Sequence, residues 1–211
     1  MWEWLKEFKR YGAIWLHNGD PRAPHALLTS GLHSNGFVNA TAITCRADLM
    51  EEILESPNGL APHIEEARGA QWVIGSAMGA ITLAHATAAR LRCRSGFTEK
   101  EGDRMVLSRF HISPGEKVLL VEDVVTTGGS TLKTFAAVAG EGAEILPFVV
   151  ALVNRSGTNS LRSESGRTLE IRSLLTLDIQ TWKPEDCPLC RKGSVALRPK
   201  SCWDELMAGG K

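Results

Sequence analysis

Residues Val118 to Ser130 read VLLVEDVVTTGGS, an apolar, β-branched run that ends in two adjacent acids and a small, hydroxyl-rich turn. An apolar run without alternation is the pattern of a strand buried on both faces. The paired glycines and the segment TLKTFAAVAGEG that follow predict a sharp turn into a helix. PFVVALVNRSG then supplies a second buried strand ending in a polar turn, and upstream QWVIGSAMGAITLAHATAARL has the same order: apolar strand, Gly-containing loop, helix from about Ile81 to Leu91. Strands alternating with helices build right-handed βαβ units, so the fold class is α/β, a central and mainly parallel sheet flanked by helices. Ligands of such sheets bind at the carboxyl ends of the strands. The loops after Ile74, Val125 and Val153 are therefore the ones to inspect.

The flanking segments differ in character. Trp4, Phe8, Tyr11 and Trp15 recur at spacings of four, three and four, which predicts one apolar helical face at the N-terminus. HALLTSGLHSNGFVNATAI reads as two strands joined by a turn, Arg46 to Glu55 as a helix, and RTLEIRSLLTLDI as one or two strands before a proline- and cysteine-bearing tail. Among the 211 residues Lys plus Arg and Asp plus Glu are both 24, and no basic run interleaved with aromatics marks a nucleic-acid surface. Any anion must be held locally. The stretch Gly69 to Ala89 is short of charge, but its three glycines, Gln71 and His85 suit strand, loop and helix better than a membrane span. With no secretory signal pattern and an odd count of five cysteines, reduced thiols in a cytoplasmic protein are the expectation.

In VLLVEDVVTTGGS the strand carries Glu122 and Asp123 to its end, and Thr126 to Ser130 open the helix. Free N–H groups at a helix start favour an anion, glycines let the main chain approach it, and Thr and Ser hydroxyls add donors. A Gly-rich turn after a strand can also be a plain connection. Two carboxylates beside an anion site would repel it unless they face something else, and a vicinal diol or magnesium-bound water suits them. A ligand with both phosphate and ribose satisfies both halves. Neither Gly-x-x-x-x-Gly-Lys nor Gly-x-Gly-x-x-Gly occurs in the chain.

This stretch resembles the signature of the type I phosphoribosyltransferases, unbroken over thirteen residues. The resemblance implies their fold, with a core of about 46–160 and a small hood lobe from about 1–45 with part of 165–211, in one domain of 1–211. It implies that Glu122 and Asp123 meet the ribose hydroxyls of 5-phosphoribosyl 1-pyrophosphate. Val124, Val125, Thr126, Thr127, Gly128, Gly129 and Ser130 would then form the 5-phosphate loop, and Ser76, Ala77, Met78 and Gly79 the pyrophosphate loop, which in the family often holds a non-proline cis peptide. Magnesium is the implied cofactor, bound through substrate and water near Glu122 and Asp123 and not directly by the chain.

Three further segments are similar to orotate phosphoribosyltransferases. LLTSGLHSNGFVN places Phe37 at the family's base-packing aromatic, FTEKEGD places Lys100 at the catalytic lysine of a mobile loop, and ALVNRSG places Arg155 at the arginine that receives the orotate carboxylate. Guanidinium offers bidentate donors in the plane of a carboxylate, and neither uracil nor the purines carry one. With Thr126 these residues make the expected base site, and Lys100 with Asp123 the expected catalytic pair. The implied reaction transfers ribose 5-phosphate to orotate, giving orotidine 5′-monophosphate and pyrophosphate in UMP biosynthesis, in a homodimer. Transfer to a purine or uracil, or a non-catalytic regulator of the same fold, are the alternatives. The chain departs from the family at Thr29, Glu99, Asp103 and Met105, where basic residues are common, and its pyrophosphate loop lacks a lysine; Arg104 and Arg109 are the candidates to compensate. Finally, Cys187-x-x-Cys190 with Cys202 nearby is either a partial zinc site, needing a ligand from elsewhere, or a set of reduced structural thiols.

Overall fold

The structure, a computed structural model, describes residues 2–209; Met1, Gly210 and Lys211, which the single-domain expectation includes, lie outside the described residues. In chain order the elements are α1 (Trp2–Arg10), β1 (Ile14–Leu16), β2 (His25–Leu27), β3 (His33–Ser34), β4 (Gly36–Val38), α2 (Thr41–Thr44), α3 (Ala47–Glu55), α4 (Ala61–Glu66), β5 (Trp72–Ser76), α5 (Ile81–Leu91) and β6 (Arg94–Glu101). They continue with β7 (Arg104–Val106), β8 (Lys117–Val125), α6 (Gly129–Gly140), β9 (Glu144–Asn154), β10 (Ser160–Arg162), β11 (Thr168–Thr176), β12 (Thr181–Trp182), a 3-10 turn (Pro184–Asp186), α7 (Pro188–Arg191), β13 (Ala196–Leu197) and α8 (Trp203–Gly209). Two compact units result: Ala40–Leu177 with the chain up to Trp4, and Leu5–Asn39 with the chain from Asp178 on.

The first unit is built on a seven-stranded sheet ordered β10-β11-β9-β8-β5-β6-β7. The five inner strands run parallel and the two edge strands antiparallel. Burial explains the arrangement: Val118 to Glu122 of β8 and Phe148 to Asn154 of β9 are buried, as expected for strands covered by helices on both faces. Ile74, Leu120, Val149 and Ala151 pack with Phe135 and Val138 of α6 into one apolar cluster. RTLEIRSLLTLDI resolves into the single strand β11, parallel to β9. The polar segment after Phe97, expected as a loop, is a hairpin in which Lys100 faces Met105 across β6 and β7, with Gly102 at φ +60° in the turn. Among the described residues no helix is long and apolar enough to cross a membrane.

The second unit contains the four-stranded sheet β12-β3-β2-β13 and the pair β1-β4. Its apolar cluster is small, Trp15, Ala26 and Leu206 with Leu28, Phe37, Leu197, Trp203 and Met207 around them. The N-terminal helix is shorter than its aromatic spacing suggests. It ends at Arg10, Gly12 turns the chain at φ +67°, and Trp15 lies on β1 with its indole N–H donated to the Leu206 carbonyl at 2.9 Å. A 3.6-residue spacing of apolar side chains continues by chance across a left-handed break that only glycine accepts readily. Trp4 and Phe8 of this helix are buried.

The turn from β8 into α6 positions everything that follows. Gly128 takes φ +78°, and a Cβ there would come within 2.3 Å of Leu161 Cδ2 in the core; Gly129 has helical geometry, with 3.6 Å to the nearest atom a Cβ would meet. The two glycines thus answer different demands. Gly128→Ala is expected to cost about 2 kcal/mol or more, from left-handed strain and overpacking, lowering Tm by roughly 4–8 °C in thermal melts. Gly129→Ala, which adds helix propensity, leaves Tm within about 2 °C.

Candidate active site

The carboxyl ends of β5, β8 and β9 meet in the first unit, and side chains at each end define the site. After β5 the chain passes through Ala77-Met78, a non-proline cis peptide in the loop where the family resemblance implies one. Ala77 N–H is donated to the Thr98 carbonyl at 2.8 Å, and Met78 is left 81% exposed. Gly79 lies directly against Asp123: a Cβ on it would fall 2.1 Å from Asp123 Oδ2. The loop after β5 and the acidic strand end are therefore one surface.

Burial distinguishes the two adjacent acids, whose side chains still interact. Glu122 is buried, and its Oε2 accepts from Ser76 Oγ at 2.9 Å and from Thr131 Oγ1 at 3.0 Å. Behind Ser76, Thr134 Oγ1 lies at 3.0 Å, and Thr98 Oγ1 lies 2.7 Å from Thr134. Each hydroxyl has one proton, so with Ser76 donating to Glu122 the donation runs from Thr98 through Thr134 and Ser76 to the carboxylate. Asp123 is half-buried, and its Oδ1 accepts the Val124 N–H at 2.8 Å. Of the two acids expected at the ribose, Asp123 stands at the site's surface and Glu122 beneath it.

Burial first, then the neighbouring Asp123 charge, raise the Glu122 carboxyl to about 8, against the lowering effect of the Ser76 and Thr131 bonds. A cation or diol at the strand end would relieve that repulsion.

The loop that opens α6 presents Thr126, Thr127 and Ser130 to solvent, with Val124 half-buried and Val125 buried. The first amides of a helix have no intrahelical acceptor and favour an anion. Thr131, one residue on, points inward to Glu122. Alongside, Arg155 N–H is donated to the Val125 carbonyl at 2.9 Å, which ties the end of β9 to the start of this loop. The Arg155 guanidinium is half-buried, burial lowers its pKa, and among the described residues no carboxylate pairs with it. Asn154 shapes the turn that carries it, donating to the Thr158 carbonyl at 2.8 Å and accepting from Ser156 N–H at 3.0 Å.

The remaining expected residues are placed elsewhere. Lys100 is exposed on the β6–β7 hairpin. Arg109, a candidate to supply a missing cation, is bound by both Glu99 oxygens, at 2.8 and 3.1 Å. Met105, where a histidine is common in the family, is buried. Phe37 belongs to the second unit, where it meets Trp203 edge-on with ring centroids 6.0 Å apart; Thr29 is in an exposed turn of that unit. Sequence reasoning passed over Thr98, Thr131, Thr134 and Asn154. The signal was present in α6, where Thr131 and Thr134, three apart, share a helix face with the apolar Phe135 and Val138 and need partners there.

The raised Glu122 carboxyl stabilises the fold when protonated, so its contribution is complete below about pH 4.5 and is lost as the pH rises through about 8. Glu122→Gln keeps an acceptor for Ser76 and Thr131 and removes the charge. Its Tm is expected to fall less than that of the wild type between those limits, and parallel curves would refute the assignment.

Comparison with known proteins agrees with this geometry. Residues 50–184 match the model of the phosphoribosyl transferase domain. The chain is 41% identical over 178 residues to an orotate phosphoribosyltransferase of Caldicellulosiruptor bescii, covering 84% of this chain and 88% of the relative. It is 37% identical over 189 residues to that of Desulforamulus reducens, covering 89% and 94%. Its fold is similar to the crystal structure of orotate phosphoribosyltransferase from Aeropyrum pernix, with a TM-score of 0.58 at 23% identity over 82% and 92% of the two chains. Adenine phosphoribosyltransferase from Saccharomyces cerevisiae gives 0.57 at 17% identity over 83% and 100%, so the fold is common to enzymes with different bases. The strand-end acids, the glycine turn and the matches over most of its length together show that the chain belongs to the phosphoribosyltransferase family, in its orotate phosphoribosyltransferase branch.

Proposed function

We propose that the protein transfers ribose 5-phosphate from 5-phosphoribosyl 1-pyrophosphate to N1 of orotate, in the route to UMP. The observation that carries this reading is Arg155: a half-buried guanidinium with no carboxylate partner among the described residues, held beside the phosphate turn through the Val125 carbonyl. A desolvated cation of that kind needs an anion, and the orotate carboxylate supplies it in bidentate geometry.

The residues divide the work. Thr126 to Ser130 hold the 5-phosphate on the open amides of α6, and the space over Gly129 admits it. Asp123 faces the ribose hydroxyls, and its negative charge favours the positive charge that gathers on the sugar as the bond from C1 to pyrophosphate breaks and the bond to N1 forms. Ser76 to Gly79 receive the leaving group. Lys100, on its exposed hairpin, neutralises the departing pyrophosphate, and the hairpin excludes water from the cationic sugar. Asp123 and the raised Glu122 suit magnesium carried on the substrate and its water, which would offset their mutual repulsion and the pyrophosphate charge. A cytoplasmic homodimer belongs to the same reading and rests on the family resemblance.

Arg155→Ala is expected to raise the KM for orotate about tenfold to a hundredfold, from a charge-assisted bidentate contact of roughly 1.5–3 kcal/mol. The KM for phosphoribosyl pyrophosphate should change less than about threefold, since Arg155 follows a different strand from the cradle. Steady-state kinetics with each substrate varied in turn provide the check. Equal losses for both would assign Arg155 to folding, and no loss for orotate would assign another base.

A further inference from the structure

The second unit contains a buried polar cluster that the transfer reaction does not use. His25 on β2 and His33 on β3 share a sheet face: Ala26 pairs with Ser34 and Leu27 with His33, which makes the two histidines diagonal neighbours. Cys187 and Cys190 bracket the start of α7. His25 Nε2 lies 2.9 Å from His33 Nδ1, 3.6 Å from Cys187 Sγ and 3.5 Å from Cys190 Sγ, and Cys190 Sγ lies 3.2 Å from His33 Nδ1. The four ligand atoms are all within 4.8 Å of one another. His25 and Cys187 are fully inaccessible, and His33 nearly so.

Hydrogen bonding alone does not account for this packing. Ser194 Oγ donates its single proton to the Ala23 carbonyl at 2.6 Å, so in its 2.8 Å contact with His25 Nδ1 it accepts. The His25 proton is therefore on Nδ1, and Nε2 presents one lone pair to three groups at once. One lone pair cannot satisfy three donors, but a metal at their centre is satisfied by all four atoms. Bonds of about 2.3 Å to sulfur and 2.0–2.1 Å to nitrogen in a tetrahedron separate ligand atoms by about 3.3–3.8 Å; the four contacts just given, 2.9, 3.2, 3.5 and 3.6 Å, lie in or below that range, and every pair lies within 4.8 Å.

The surrounding chain is built as a ligand-bearing turn. Arg191 N–H bonds the Cys187 carbonyl at 3.2 Å, Gly193 N–H the Cys190 carbonyl at 2.9 Å, and Ser194 N–H the Leu189 carbonyl at 3.1 Å. Gly193 at φ +90° reverses the chain so that Ser194 returns to His25. That serine is the outer hydrogen-bond partner which metal-bound histidines normally have. The unit also needs a staple. Strands β3, β12 and β13, which pair the tail with the β2–β3 hairpin, have two residues each, and the apolar cluster is small, so a cross-link between the two would reinforce short ladders.

We propose that His25, His33, Cys187 and Cys190 bind one zinc ion in a closed, structural, tetrahedral site that fastens the C-terminal tail to the β2–β3 hairpin. Two nitrogens and two thiolates suit zinc, and four protein ligands leave no open position for catalysis. Cys202 is outside the group, so two histidines from the N-terminal segment complete the Cys-x-x-Cys half-site.

Metal analysis of the full chain, purified and dialysed against metal-free buffer, is expected to find one zinc per chain. Cys202→Ser keeps it, and Cys187→Ser/Cys190→Ser loses at least nine-tenths of it. Because the double variant can fail to fold, the wild type is also titrated with an organomercurial: zinc should leave in step with two thiols. Cobalt in place of zinc should show the visible bands of tetrahedral coordination and a thiolate charge-transfer band. A wild-type protein that holds no zinc and takes up neither zinc nor cobalt when supplied would overturn the proposal. So would full zinc in the double variant, zinc release unlinked to thiols, or a Cys187–Cys190 disulfide in the freshly purified chain.

Discussion

Glu122 sits in the interior at the end of the central strand, where hydroxyls from β5 and α6 bond it and one from β6 reaches it through Thr134 and Ser76. A buried carboxyl is costly unless its lone pairs are met, and here Ser76 and Thr131 meet them directly. The ladder Thr98, Thr134, Ser76 therefore aligns the ends of β5, β6 and β8 with the first turn of α6. Asp123, one residue on, is half-buried at the end of the same strand, and Gly79 leaves room for it. The more accessible acid owes its position to the buried one.

The same strand end organises the neighbouring end of β9. Main-chain bonding from Arg155 to Val125 sets the guanidinium at a fixed place beside the turn, and Asn154 ties down the loop after it. Among the described residues no carboxylate pairs with this cation, a state the fold tolerates because the guanidinium is only half-buried. On the hairpin side, Glu99 engages Arg109 and Met105 is buried, so the departures from the family's basic pattern are absorbed by pairing and packing. Lys100 is the family-matched cation that stays exposed there.

The second unit rests on a different principle. Its sheets are short and its apolar cluster small, and polar convergence at His25 takes the place of a large core. The two segments that build it lie at opposite ends of the chain, so whatever fastens them closes a long loop, where a cross-link stabilises most in principle.

The sequence by itself determined the parallel sheet, the strand-turn-helix cradle and most element positions, because buried strands and helices carry period and composition that are local. The Ile81–Leu91 helix and the helix within Arg46 to Glu55 were legible for that reason. Gly128 was legible as a turn residue, but its clash with Leu161 was not. Tertiary structure alone decided which acid is buried, that Thr98 and Thr134 support it, that Lys100 stands on a hairpin, and that His25 and His33 meet Cys187 and Cys190. Each of these depends on contacts between residues distant in the chain, and no local periodicity encodes which distant side chain will lie within hydrogen-bonding reach of another.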